Sequence, residues 1–311
     1  MKTAFYSHPD CLLHNMGRGH PECPERIGAI EDHLLSTGLG IAVERREAPI
    51  VAWSDVAHAH GSGYLEELRE ALKLVDATGE PHSFDPDTSA FTGTWAAVQR
   101  AAGAAVAATD AVLDGDIQNA FCAVRPPGHH ATRNAAMGFC FINNVAIAAR
   151  HALDVRGLSR VAIIDFDVHH GNGTEDIIAG DERVLMASIF QDALYPFSGG
   201  VPMGTNMVNL PVPAYTRGPA IRELIDANWI PRLDAFRPEM IFISAGFDAH
   251  REDDLGQLGL VEADYTWITE RLKAVADQHA QGRIVSCLEG GYNLSALARS
   301  VAAHVRVLAG V

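Results

Sequence analysis

The sequence has no CxxC pair, and its cysteines, Cys11, Cys23, Cys122, Cys140 and Cys287, are odd in number and widely spaced. That argues against a cysteine-type zinc site and against a disulfide framework, and it suits the reducing cytoplasm. No apolar stretch approaches the ~18 residues that span a bilayer. The start, Met1 to Tyr6, lacks an apolar h-region, so no secretory signal is expected. Positive charge is scarce: 24 Lys and Arg face 39 Asp and Glu, a formal net charge of −15. So acidic a chain is a poor match for nucleic-acid phosphates or anionic membrane, and it suits a cationic partner. Linkers, internal repeats and low-complexity segments are also missing.

What is present is core material. The 311 residues are 48% apolar and 20% charged, close to globular averages. Length alone allows one or two domains. Five short apolar runs, Asn119–Val124, Arg160–Asp165, Arg183–Phe190, Glu239–Ala245 and Arg283–Leu288, show little alternation. They fit strands buried on both faces, as in a parallel sheet. Helices are predicted over Thr94–Leu113, Asn143–Leu153, Gly218–Phe236, Glu262–Ala280 and Leu294–Leu308. Asp85–Thr88 reads as a turn and Tyr195–Asn206 as a long surface loop. Alternating strand and helix predict one α/β domain over residues 1–311 with a mostly parallel sheet.

Histidine is abundant, at 15 residues, and it clusters. Four of the five strands run into polar segments: Arg125–His130, Asp165–Gly173, Gly246–His250 and Glu289–Asn293. Ligands of open α/β sheets bind beyond the carboxyl ends of strands, so four such clusters point to one site. In Asp165-x-Asp167-x-His169, alternate residues of an extended segment share a face. Two carboxylates and an imidazole there make a cation site. A lone strand-end aspartate or histidine would be a cap or a packing residue; the triplet carries more weight. Asp248, ending another strand, is the natural third ligand beside Asp167 and His169. Three protein ligands leave a position open for water, as in catalytic zinc. His129 and His130, on a loop fixed by Pro126, Pro127 and Gly128, are candidates for acid/base work. Tyr292, after two glycines, can bring a phenol to a reacting oxygen.

These segments together resemble the zinc-dependent histone deacetylase family, specifically its class II-like bacterial deacetylases and amidohydrolases. The matches run in family order: HPECPER from His20, DPDT from Asp85, RPPGHHA from Arg125, MGFCFINNVAIAA from Met137, DFDVHHGNGT from Asp165, SAGFDAHREDDLG from Ser244 and LEGGYN from Leu288. The resemblance implies an arginase/deacetylase-like α/β domain with a central sheet of about eight strands. It implies one Zn2+ on Asp167, His169 and Asp248. It implies a general base/acid at His130, a mainly electrostatic His129 and an oxyanion donor at Tyr292. Asp165 would stand behind His129 and Asn172 behind His130. A structural K+ would sit among Asp165, Ser188, Ile189 and the backbone oxygens of Asp167 and His169. Gly138, Phe139, Tyr195, Leu255 and Asp87 would meet the substrate, and Arg26 and Cys140 would line a product channel.

The departures narrow the reading. Asn172 replaces the aspartate of class I relatives, as in class II-like members. Phe190 stands where many relatives carry histidine, and Gln191–Asn206 matches poorly. Leu255 replaces the glutamate of acetylpolyamine-specific members, which favours acyl-lysine in proteins or peptides over a polycation. The alternatives are a small acylamine or acetylpolyamine deacetylase, an arginase-like manganese ureohydrolase and an inactive acyl-lysine reader. No nucleic acid or membrane partner is expected, and a homo-oligomer stays open.

Overall fold

The computed structural model describes residues 2–311. In chain order its strands are β1 (Thr3–Ser7), β2 (Val43–Glu47), β3 (His82–Ser83), β4 (Ser89–Ala90) and β5 (Asn119–Cys122). There follow β6 (Val161–Asp165), β7 (Val184–Gln191), β8 (Met207–Val212), β9 (Ile241–Ala245) and β10 (Ile284–Leu288). The helices are α1 (Glu25–Ser36), α2 (Trp53–Val56), α3 (Ser62–Thr78), α4 (Thr94–Leu113) and α5 (Asn144–Arg150). The rest are α6 (Asn172–Ile178), α7 (Gly218–Phe236), α8 (Glu262–His279) and α9 (Leu294–Ala309).

Eight strands form one sheet in the order β2-β1-β5-β10-β9-β6-β7-β8. Every pairing in it is parallel, so the sheet is wholly rather than mostly parallel. Parallel strands need crossovers, and helices supply them on both faces. Leu65, Leu68, Val98 and Val145, from α3, α4 and α5, pack into the core on one face. Ile30, Ile225, Ile268 and Val301, from α1, α7, α8 and α9, pack on the other. The five central strands carry unbroken apolar runs because both their faces are covered. No helix among the described residues is long and apolar enough to cross a membrane.

Two details bear on the site. Asp85–Thr88 is the tip of the small β3–β4 ribbon, which pairs antiparallel. Asn143 caps α5, its side chain accepting the Ala146 N–H at 3.0 Å, and the helix runs on into a π turn over His151–Val155.

Candidate active site

β5, β10, β9 and β6 are consecutive neighbours in the sheet, and each releases a polar segment at its carboxyl end. Because these strands are parallel, all four segments open on one side. Chain order scatters them; the sheet gathers them.

β6 ends at Asp165, and Asp167 and His169 lie in an irregular turn beyond it. The shared strand face expected for Asp165, Asp167 and His169 therefore does not form. Asp165 stands apart: its Oδ1 accepts the Asp167 N–H at 3.1 Å, and its Oδ2 lies 3.0 Å from His129 Nδ1. Asp167, His169 and Asp248 offer ligand atoms all within 4.8 Å of one another. His169 Nδ1 is 3.0 Å from Asp167 Oδ1 and 3.1 Å from Asp248 Oδ2. Both carboxylates are fully buried. Two buried carboxylates side by side are costly unless a cation joins them. Burial and the charge of Asp167 push the Asp248 carboxyl up to about 7. This donor set fits a divalent cation.

Glycine makes the approach possible. A Cβ on Gly246 would lie 2.0 Å from Asp167 Oδ2, and one on Gly290 would lie 2.0 Å from Asp248 Oδ2. Gly290 N–H donates to Asp167 Oδ2 at 2.8 Å, and Val168 N–H to Asp248 Oδ1 at 2.8 Å.

The histidine loop is held at both ends. The buried Arg125 guanidinium grips both oxygens of buried Glu22 and donates to the carbonyls of Cys11 and His14. Glu289 Oε2 accepts the N–H groups of Gly128 and His129 at 2.7 and 3.1 Å. His130 Nδ1 lies 2.8 Å from Asn172 Oδ1. An amide oxygen only accepts, so Nδ1 carries the proton and Nε2 keeps a free lone pair. The two imidazoles, with ring centres 4.0 Å apart, are driven in opposite directions. Burial opposes charge on His129, but Asp167 and Asp165 outweigh it and raise its pKa to about 10. Burial, then the charges on His129 and His169, push His130 well below its ordinary value. A carboxylate behind His129 favours its charged form, whereas the amide oxygen behind His130 leaves a neutral ring with Nε2 free, a difference suited to acid/base work.

Tyr292 follows Gly291, whose φ is +118°. The Arg26 guanidinium stacks 5.0 Å from the phenol ring. Arg26 is itself fixed by the carbonyls of Gly291 and Glu289 at 2.7 and 2.5 Å and by Glu22 Oε1 at 3.1 Å. Burial and Asp248 hold the phenol well above its ordinary pKa, so it remains a hydrogen-bond donor.

A cavity of about 250 Å³ reaches these groups. Exposed Asp87 marks its mouth, and buried His130 and His169 mark its bottom. Phe139, Tyr195, Leu194, Leu255 and Tyr292 supply its apolar and aromatic lining, with Gly138 completing it. The rings of Phe139 and Tyr292 are 6.0 Å apart, and those of His130 and Tyr195 are 5.1 Å apart. Asp85 Oδ2 and Thr88 Oγ1 accept the N–H groups of Gly138 and Phe139 at 3.3 and 2.9 Å. That holds Phe139 at φ +70°, a conformation costly for an aromatic residue. Arg26 and Cys140 are not among the lining residues; both are fully buried, with Cys140 Sγ 3.3 Å from Gly138 O. Asp165 and Ser188 are register partners in β6 and β7, and Ile189 follows.

Sequence reasoning missed Asp85, Thr88, Glu22, Arg125, Asp253 and Glu289. All but Arg125 act by accepting protein hydrogen bonds, and Arg125 by donating them. Arg125 and Glu289 lie inside the polar clusters, and Glu22, Asp85, Thr88 and Asp253 lie only within the segments that carry the family resemblance.

The chain matches the family described as the histone deacetylase domain over residues 20–308. It is 35% identical to the histone deacetylase-like amidohydrolase of Pseudomonas aeruginosa, over 94% of this chain and 82% of that one. It is 37% identical to histone deacetylase 14, chloroplastic, of Arabidopsis thaliana, over 98% of this chain and 76% of that one. It spans 48% of polyamine deacetylase HDAC10 of Homo sapiens at 35% identity, and only 21% of type-2 histone deacetylase 2 of Dictyostelium discoideum at 34%. The crystal structure of the HDA15 HD domain superposes with a TM-score of 0.92 at 31% identity, covering 99% of this chain and 88% of that one. The chain belongs to the histone deacetylase family and is an amide hydrolase of the deacetylase type.

Proposed function

We propose that the whole chain is one catalytic domain that removes an acyl group from the side-chain amine of lysine in peptides or proteins. The observation that carries this reading is the convergence of His130, Tyr292 and the Asp167–His169–Asp248 cluster at the bottom of one cavity.

The ligand types favour zinc, held by Asp167, His169 and Asp248. When bound, zinc supplies a Lewis acid for the carbonyl and acidifies water. The protein's own groups do the rest. Phe139 and Tyr195 flank the alkyl stem, and Asp87 offers a carboxylate at the mouth. His130 Nε2 takes the proton of the attacking water, with Asn172 fixing its tautomer. The Tyr292 hydroxyl donates to the oxyanion as it forms, a contribution of about 3–4 kcal/mol. The imidazolium returns the proton to the leaving amine, and a carboxylate and a free amine result. The charge of His129, steadied by Asp165, keeps His130 from becoming a permanent cation.

Leu255 at the lining gives no charge with which to select a polycation, which favours lysine over an acetylpolyamine. An arginase-like dinuclear site finds no support at His250, whose Nδ1 accepts the Glu252 N–H at 3.1 Å. The test compares amine release from acetyl-lysine peptides, other acyl-lysines and acetylated polyamines by the zinc-loaded protein. Expected are a higher kcat/KM for the peptides and a loss of about 100- to 1,000-fold in kcat for Tyr292→Phe with zinc content unchanged. Preference for the polyamine would overturn the substrate. Near-full activity of Tyr292→Phe would overturn the role of the phenol.

A further inference from the structure

We propose that Asp253 is the positioning residue for Tyr292, and that its carboxylate joins the oxyanion donor and the cavity-lining Leu255 into one rigid unit. The proposal rests on the function given above.

Asp253 lies in the segment after Asp248 and is only 6% exposed, although Glu252 and Asp254 beside it are exposed. No basic side chain pairs with it among the described ion pairs. Its carboxylate is instead filled by backbone donors from two separate segments. Oδ2 accepts the N–H of Tyr292 at 2.6 Å and that of Asn293 at 3.0 Å. Oδ1 accepts the N–H of Leu255 at 3.1 Å. Asp253 N–H is anchored in turn on His250 O at 2.9 Å.

The need for such a clamp follows from the local sequence. Tyr292 follows Gly290 and Gly291, the second at φ +118°, so its own chain holds it loosely. Arg26 orients the ring, but no other side chain accepts the Tyr292 N–H. Downstream, Asn293 turns to cap α9 through Ala296 N–H at 3.0 Å, so both sides of the clamp are defined. Three donors on two oxygens require a carboxylate. An amide offers one acceptor oxygen, and its NH2 would face an N–H. Misplacing a donor by an ångström is enough to lose most of its effect on the transition state.

Asp253→Asn should lower kcat about 10- to 100-fold while KM and zinc content change little. Combined with Tyr292→Phe, it should add no more than about twofold to the loss, because it acts through the phenol already removed. Full multiplication of the two losses would overturn the proposal, as would an Asp253→Asn enzyme that keeps wild-type kcat. A second measurement needs no variant. In the zinc-loaded wild-type protein, the amides of Tyr292 and Asn293 should exchange with deuterium as slowly as those of the flanking strand and helix. Exchange at the rate of an open loop would refute the clamp even if Asp253→Asn failed to fold. Should the wild-type protein hydrolyse none of the acyl amines, the function above fails, and the exchange result still decides this inference.

Discussion

At Gly290 the backbone comes closer to two carboxylates than any side chain allows. A methyl there would lie 2.0 Å from Asp248 Oδ2 and 2.6 Å from Asp167 Oδ2. The φ of Gly290 is not in the left-handed region, so the obstacle to substitution is contact alone. Gly290→Ala should therefore fold but spread the ligand cluster. Ligand-orienting contacts of this kind are worth about 10- to 100-fold in metal affinity. Competition against a metal-binding dye would measure it, and unchanged affinity would show that the carboxylates do not set the site. Residues such as Asp167, His169, His130 and Tyr292 were legible because chemically rare types stood together. Glu289 and Asp253 were not, because a carboxylate that serves backbone N–H groups looks the same in sequence as one that faces water.

Strands were legible in proportion to the length of their unbroken apolar runs. The five runs read as strands match β5, β6, β7, β9 and β10, and in each both faces are covered. The outer strands hid for the opposite reason. β2, with sequence VERRE, lies at one edge and after buried Val43 alternates between half-buried and exposed charged residues, and β8 at the other edge carries Pro211. β1, one strand in from the edge, is buried, but its apolar run is only Ala4-Phe5-Tyr6, bounded by Thr3 and Ser7. Helices α1, α2, α3 and α6 were missed, whereas α7 was found despite Pro231 in its interior. Proline there removes an N–H donor and crowds the carbonyl of the preceding turn. Pro231 is exposed, so packing does not require it. Pro231→Ala should stabilise the protein by about 1–2 kcal/mol, the helix gain less the greater freedom of the unfolded chain. Urea melts would show it, and an unchanged midpoint would mean the helix has absorbed the proline without cost.

Over the whole molecule, the acidic balance and the histidine excess meet in the dependence of stability on pH. Several histidines outside the cavity are structural and neutral. His60 donates from Nδ1 to Thr132 O and accepts the Asn143 N–H at Nε2, each at 2.9 Å, which leaves no room for a second proton. His304 Nδ1 meets Thr269 Oγ1 at 2.7 Å, and its Nε2 meets Ser286 Oγ at 2.9 Å. Thr269 already donates to Tyr265 O, so it accepts from Nδ1, and Nε2 takes the serine proton. Burial pushes His14 and His60 down to about 4 and His304 down to about 3. In the unfolded chain each titrates near 6.5. Below that value the unfolded state binds protons that the folded state refuses, so stability is full above pH 6.5 and falls as pH drops toward 4. Each such histidine contributes a slope of about 1.4 kcal/mol per pH unit within that window. The rings of Phe121, Phe166 and Phe247 surround His304 at 5.7 to 6.0 Å, so a phenyl ring fits its place. His304→Phe should lose some stability at pH 7 through the orphaned Ser286 hydroxyl, yet its slope between pH 4.5 and 6 should be shallower than wild type by about 1.4 kcal/mol per unit. Titration at the Asp167–His169–Asp248 cluster is common to both proteins and cancels in the comparison. Equal slopes would mean that His304 takes up its proton while still folded.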